Sequence, residues 1–198
     1  MMSLTYKSCT GREMLSYLDD LARLRITVFR EFPYLYDGDL AYEKRYLTTF
    51  AEAENAILVL ALDGDTIVGA STGIPLAQET DNIRKPFEER DFPVNEVFYF
   101  SESVLLQPYR GMGAGLHFMA EREKWAKEVG GFLWLAFCGV VRSGDHPRRP
   151  KDYVPLDGFW QKRGFQRAIG MTCVIEWQDV DEDAPSSKNL YFWMKPLL

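Results

Sequence analysis

The stretch from Val104 to Gly115, Val-Leu-Leu-Gln-Pro-Tyr-Arg-Gly-Met-Gly-Ala-Gly, constrains this chain more than any other. An apolar strand ends at Leu106, Pro108 breaks it, and three alternating glycines open a helix. Gly111, Gly113 and Gly115 let backbone approach a ligand closely, because no Cβ intervenes. The helix that follows begins with unpaired N–H groups and the positive end of its dipole. Together these make a phosphate cradle. Two nucleotide motifs are excluded. A P-loop needs Gly-Lys-Ser/Thr where the chain has Gly115-Leu116-His117. A dinucleotide fingerprint needs glycine at Leu116, and the next strand, Phe132 to Val141, carries no acid for a ribose.

The rest of the chain reads as one α/β domain over residues 1–198, long enough for a substantial core. Leu4 to Cys9 is a first strand. Met14, Leu18, Leu21, Val28 and Phe29 then follow helical spacing, in one helix or two, up to Phe32-Pro33. Leu40 to Phe50 is a further helix. Ala56 to Leu62 and Thr66 to Ala70 form a hairpin around Asp63-Gly64-Asp65. A short surface helix is expected over Thr80 to Arg90 and a long aromatic strand over Val94 to Leu106. Gly113 to Val129 is an amphipathic helix whose polar stripe, His117, Glu121, Lys124 and Glu128, turns His117 to water. Gly130-Gly131 caps it. Phe132 to Val141 is apolar throughout, as a central strand is. A basic loop, Arg142 to Lys151, and a short helix, Pro155 to Arg163, precede the strands Phe165 to Trp177 and Leu190 to Lys195. An acidic loop, Asp179 to Lys188, separates those two strands.

Charge and cysteine usage narrow the function. A net charge of −6 argues against a surface built for nucleic acid or anionic lipid. Cys9, Cys138 and Cys173 have no paired spacing, and no apolar run is long enough to span a bilayer, so a cytoplasmic location with reduced thiols is expected. Two histidines make a zinc site unsupported, and no metal is expected.

Arg110-Gly111-Met112-Gly113-Ala114-Gly115 resembles the Gln/Arg-x-x-Gly-x-Gly/Ala signature of the GNAT superfamily, the acyl-CoA-dependent N-acyltransferases. The order of strands and helices is similar to that family over essentially the whole chain. The resemblance implies an α+β, three-layer GNAT fold: a mixed, mostly antiparallel sheet of about seven strands flanked by helices. It further implies that acetyl-CoA is the co-substrate. Arg110, Gly111, Met112, Gly113, Ala114 and Gly115 would hold its pyrophosphate, and the strand amides of Val104, Leu105 and Leu106 its pantetheine arm, with Leu105 near the thioester. A second segment, Asp157 to Phe165, resembles the family's Tyr-x-Lys-x-Gly-Phe at Lys162, Gly164 and Phe165. Trp160 stands where the family often has its acidic Tyr, and reads as an apolar wall. Tyr153 is the substitute candidate.

Acyl transfer to an amine needs a base or a water path to one, an N–H donor for the tetrahedral oxyanion, and a proton or positive field for the departing thiolate. Glu102 is the expected base: alternation puts it on one face with Phe98, Phe100 and Val104, an apolar setting that raises a carboxyl pKa, and the family often carries its catalytic Glu on this strand. Glu96 is a weaker rival. Tyr34, Tyr36 and Asp37, in the aromatic and acidic loop Tyr34 to Asp39, suit an amine cation. Cys138 reads as an inert buried thiol, and Arg148 and Arg149 as a solvated loop. The expected activity is transfer of an acetyl group from acetyl-CoA to a small-molecule or peptide primary amine by direct attack in a ternary complex. The alternative is a GNAT-fold acyl-CoA binder with little catalysis, for which Trp160 is the best support. No nucleic-acid or membrane partner is expected, and apolar Leu190 to Met194 could join two copies as a homodimer.

Overall fold

The computed structural model describes residues 3–198, the side chain of Thr49 excepted. Seven strands lie in the order β1-β2-β3-β4-β5-β7-β6. They are β1 (Thr5–Thr10), β2 (Ile57–Asp63), β3 (Thr66–Pro75), β4 (Val97–Leu105), β5 (Trp134–Val140), β6 (Gln166–Trp177) and β7 (Ser186–Pro196). All neighbours are antiparallel except β4 and β5, so the sheet is mixed and mostly antiparallel, as expected.

Helices α1 (Leu18–Phe29), α2 (Leu40–Ala51) and α3 (Asp81–Glu88) cover one face. Leu21, Ala22, Leu47 and Phe87 from these helices bury against Leu58, Ala70, Val97 and Tyr99 there. Helices α4 (Ala114–Val129) and α5 (Asp157–Gln161) cover the other, where Ala114, Phe118 and Ala126 bury against Val59, Phe98 and Phe100. Burial of these two apolar layers is the main drive to fold, at about 25 cal/mol per Å² of apolar surface removed from water. The N-terminal helical segment divides: a 3-10 turn, Gly11–Tyr17, precedes α1.

Several expectations are corrected. The acidic loop is shorter than its composition suggests, because β7 already begins at Ser186. Strand β7 lies between β5 and β6, so Leu190 to Met194 is paired on both sides and offers no free edge to a second copy. His117 is half-buried rather than fully turned to water, stacked on Tyr6 with ring centroids 3.7 Å apart.

The largest departure concerns β4. Thr72 pairs with Glu102 but Ile74 with Tyr99, so two steps along β3 match three along β4. The extra residue is a bulge at Phe100–Ser101. Phe98 and Phe100 pack on the α4 face, whereas both Ser101 and Glu102 turn to the α1–α2 face. Glu102 therefore does not share a face with the two phenylalanines.

Candidate active site

The glycine turn has the conformation its composition requires. Gly111 and Gly113 have φ of 80° and 90°, in the left-handed region that side chains resist, and Gly113 caps α4. A Cβ at either would meet no atom within 4 Å, so the turn is open on its outer side. The first intrahelical bonds are Leu116 N–H and His117 N–H to the Gly113 carbonyl, at 3.0 and 3.2 Å. The amides before them, at Gly113, Ala114 and Gly115, are left without helical acceptors. An open turn, free amides and a helix dipole fit a pyrophosphate. Met112 is exposed above the turn, and Gly115 lies against Phe159 of α5. Arg110 is already engaged: its Nε donates to the Leu105 carbonyl at 3.1 Å and its Nη1 pairs with Glu31 at 2.8 Å.

Strands β4 and β5 pair only from Val97 to Tyr99 against Trp134 to Ala136. Beyond those residues no ladder among the described residues joins them, and the two strands part into a cleft. Antiparallel alternation decides which amides face it. The Leu106 N–H donates to Val68 at 3.0 Å, so it and Val104, two residues back, are committed to β3. Of the three strand positions expected to meet the pantetheine arm, Leu105 alone turns its peptide groups into the cleft. On the opposite strand, Val141 N–H donates to Asn189 of β7 at 2.9 Å, which turns the preceding Val140 amide toward β4.

Two arginines hold the bulge. Arg122 of α4 is 2% exposed and donates to the carbonyls of Thr72 and Glu102, both at 3.1 Å, and to Ser103 Oγ at 2.9 Å. Its guanidinium also lies 4.1 Å from the Phe100 ring centroid. Burial pushes its pKa down to about 9, and no carboxylate among the described residues pairs with it. Carbonyl dipoles and a ring face carry its charge instead. On the other face, Arg25 of α1 pairs with both Glu43 of α2 and Glu102. Glu43 is completely buried and also accepts from Tyr36 Oη at 2.8 Å. The setting of Glu102 is thus an ion pair rather than the apolar wall that alternation suggested.

A second carboxyl lies beside the bulge. Glu79, just past β3, is 7% exposed; it accepts from Ser101 Oγ at 2.7 Å and from the Thr80 amide at 3.1 Å. Burial raises its pKa above the usual carboxylate value, against the opposing pull of those two bonds and of Arg25. Glu79, Arg25, Glu43 and Arg122 escape the sequence reading. Only Arg122 leaves a signal, since Ala114, Phe118, Arg122 and Ala126 recur every four residues along one buried row.

The loop between α1 and α2 closes the cleft on the same side. The Tyr34 ring lies between Phe29, at 4.6 Å, and Trp177, at 6.0 Å. Its carbonyl accepts from Arg142 at 2.6 Å and from Trp177 Nε1 at 3.1 Å, while Arg142 is anchored on Asp179 at 2.7 Å. Tyr36 is spent on Glu43, and Asp37 pairs with Arg30 at the surface, so neither offers an unshared group to an amine. Tyr153 is half-buried, edge-on to Phe32 at 4.7 Å and under the Arg149 guanidinium at 4.8 Å. Burial raises its pKa, with Arg149 opposing. Arg149 is therefore held by rings rather than solvated. Trp160 packs 4.9 Å from Phe137 and 5.1 Å from Trp193, over Gly139 on the α4 face, with the surroundings of an apolar wall. Cys138 Sγ lies 2.9 Å from Tyr99 Oη, and the neighbouring Cys173 together with burial holds its thiol well above the ordinary range. That setting disfavours the thiolate form.

No protein-family model and no curated protein matches the sequence. Solved structures do match its fold. A ribosomal-protein-alanine N-acetyltransferase from Brucella melitensis superposes with a TM-score of 0.62 at 15% identity, covering 97% of this chain and 99% of its own. An acetyltransferase of the GNAT family from Streptococcus pneumoniae gives 0.58 at 17% identity, over 98% and 99%. Arabidopsis thaliana NAA60, in complex with a bisubstrate analogue, gives 0.58 at 9% identity, over 98% of each chain. At such identities the likeness is one of fold.

Proposed function

On the premise that this chain has the GNAT fold, we propose that it is an N-acyltransferase that uses acetyl-CoA to acylate a primary amine. The observation that carries the proposal is the open glycine turn at the head of α4, set beside the cleft between β4 and β5. Acetyl-CoA would supply an acyl group activated as a thioester. The free amides from Gly111 to Gly115 would hold its pyrophosphate, with Arg110 once released from Glu31, and the Leu105 peptide would face its arm. The same Leu105 amide suits the oxyanion. Glu102 and Glu79, both beside the bulge, would take the proton from the amine. Burial raises the Glu79 carboxyl above its ordinary pKa, the direction that favours a base, and Glu102 is paired with Arg25. The buried excess of carboxylates, with rings of Tyr36 and Tyr46 around them, favours a small cationic amine as acceptor.

Thermal unfolding with acetyl-CoA, CoA and ATP tests the cofactor, because selective binding to the folded state raises the melting temperature by mass action. A shift with the two CoA ligands but not ATP is expected. No shift at saturating acetyl-CoA removes the cofactor and the activity with it. A shift without thiol release on a panel of amines would leave a binding protein instead.

A further inference from the structure

The two carboxyl groups beside the β4 bulge are held by donors of different kinds. Glu102 is paired with Arg25, whose guanidinium does not give up a proton. Glu79 is held by two neutral donors, the Ser101 hydroxyl at 2.7 Å and the Thr80 amide at 3.1 Å. Of these, only the hydroxyl can pass on its hydrogen and accept another in its place. Exposure separates this pair as well: Glu79 is 7% exposed, whereas Ser101 is half-buried. The bulge sets Ser101 next to Glu102 on the α1–α2 face, two residues beyond Tyr99, where the pairing of β4 with β5 ends. Ser101 therefore stands on the stretch of β4 that borders the cleft, and its hydroxyl is bonded to a carboxyl more deeply buried than itself.

We propose that Ser101 relays the proton of the acceptor amine to Glu79, so that a buried carboxylate acts as base through a hydroxyl at the cleft. The proposal rests on the acyltransferase reading above and chooses between that reading's two carboxyl groups. The ammonium gives one proton to Ser101 Oγ as the Ser101 proton passes to Glu79 Oε1 along the existing hydrogen bond. The neutral nitrogen bonds to the acyl carbon, the carbon–sulfur bond breaks with its electron pair on sulfur, and the second proton lost by nitrogen ends on that sulfur through solvent. Glu79 then returns its proton to solvent by the reverse relay. One ammonium and one thioester thus give one amide, one thiol and one proton. Burial raises the Glu79 carboxyl above its ordinary pKa, the direction that favours taking the proton.

The test uses acetyl-CoA and the fastest acceptor among ethanolamine, tyramine, spermidine and lysine. Thiol release gives kcat and KM for wild type, Ser101→Ala, Ser101→Thr, Glu79→Gln and the double variant of Ser101→Ala with Glu79→Gln. Each of Ser101→Ala and Glu79→Gln should lower kcat about 100-fold with KM little changed. Because the two groups form one path, the double variant should fall no further than either alone. Ser101→Thr keeps a hydroxyl and should recover most of the loss. The acid limb of wild-type kcat/KM should lie above pH 4.5, the ordinary value for Glu79, and should be absent from Glu79→Gln. Ser101→Ala as fast as wild type overturns the relay, as do losses that multiply in the double variant or an acid limb that survives in Glu79→Gln. If Ser101→Ala does not fold, Glu79→Gln and its acid limb decide alone. Wild type that does not bind acetyl-CoA, or binds it and acylates none of the four amines, would instead defeat the acyltransferase reading.

Discussion

Replacing Arg122 by Met tests what holds the β4 bulge. Met keeps most of the volume and the aliphatic stem but removes every donor. The helix carbonyl of Phe118, which also receives Arg122 Nε at 3.1 Å, keeps its helical hydrogen bond. The carbonyls of Thr72 and Glu102, which share Nη1 at 3.1 Å each, lose that donor, and Ser103 Oγ loses Nη2. Thr72 and Glu102 are ladder partners and their carbonyls keep a strand donor, so what is lost is the added bond from a charged donor, about 1.5–3 kcal/mol each and roughly 3–6 kcal/mol for the two. Removing a buried charge works the other way, because an apolar side chain of similar size escapes the guanidinium's desolvation cost. Arg122 is 2% exposed, and the same burial that lowers its pKa sets this opposing cost. The net expectation is a destabilisation of about 3 kcal/mol, measured by urea unfolding at neutral pH with the m-value unchanged. Amide hydrogen exchange should rise at Ser101 to Ser103 before the rest of β4. A loss below about 1 kcal/mol, or exchange that rises uniformly along the strand, would refute the idea that Arg122 clamps the bulge.

Two further perturbations have clear signs. Glu79 has a folded-state pKa above its ordinary 4.5, so any stability it contributes is fully present below that pH and is lost as pH rises through the folded value. Glu79→Gln cannot ionise and should gain stability relative to wild type as pH rises from about 4.5; parallel stability–pH curves would contradict this. Gly113→Ala meets no neighbour within 4 Å, so its cost is backbone strain alone at φ of 90°. A loss of about 1–2 kcal/mol is expected in urea unfolding, with weaker acetyl-CoA binding by calorimetry; unchanged stability and affinity would show that the turn tolerates a side chain.

Local chemistry wrote several features directly into the chain. Glycines 111 and 113 adopt positive φ and open α4 where the spacing predicts, and the Asp63-Gly64-Asp65 hairpin forms. Trp160 has the apolar surroundings its indole calls for. The order of elements sufficed for the seven-stranded mixed sheet. These depend on propensity and period, which act within about ten residues.

The candidate proton-handling groups depended on contacts between distant segments. Alternation places Glu102 with Phe98 and Phe100, but one extra residue in β4 reverses its face, and a bulge exists only in the register between two strands. Arg25, Glu43 and Glu102 come from α1, α2 and β4, Glu79 from the end of β3, and Trp177 Nε1 reaches the Tyr34 carbonyl across more than a hundred residues. The sequence alone determined that a phosphate-sized cradle opens a helix after an apolar strand. Tertiary structure alone decided what surrounds each carboxyl and hydroxyl, because burial and charge pairing are set by whatever the fold brings alongside.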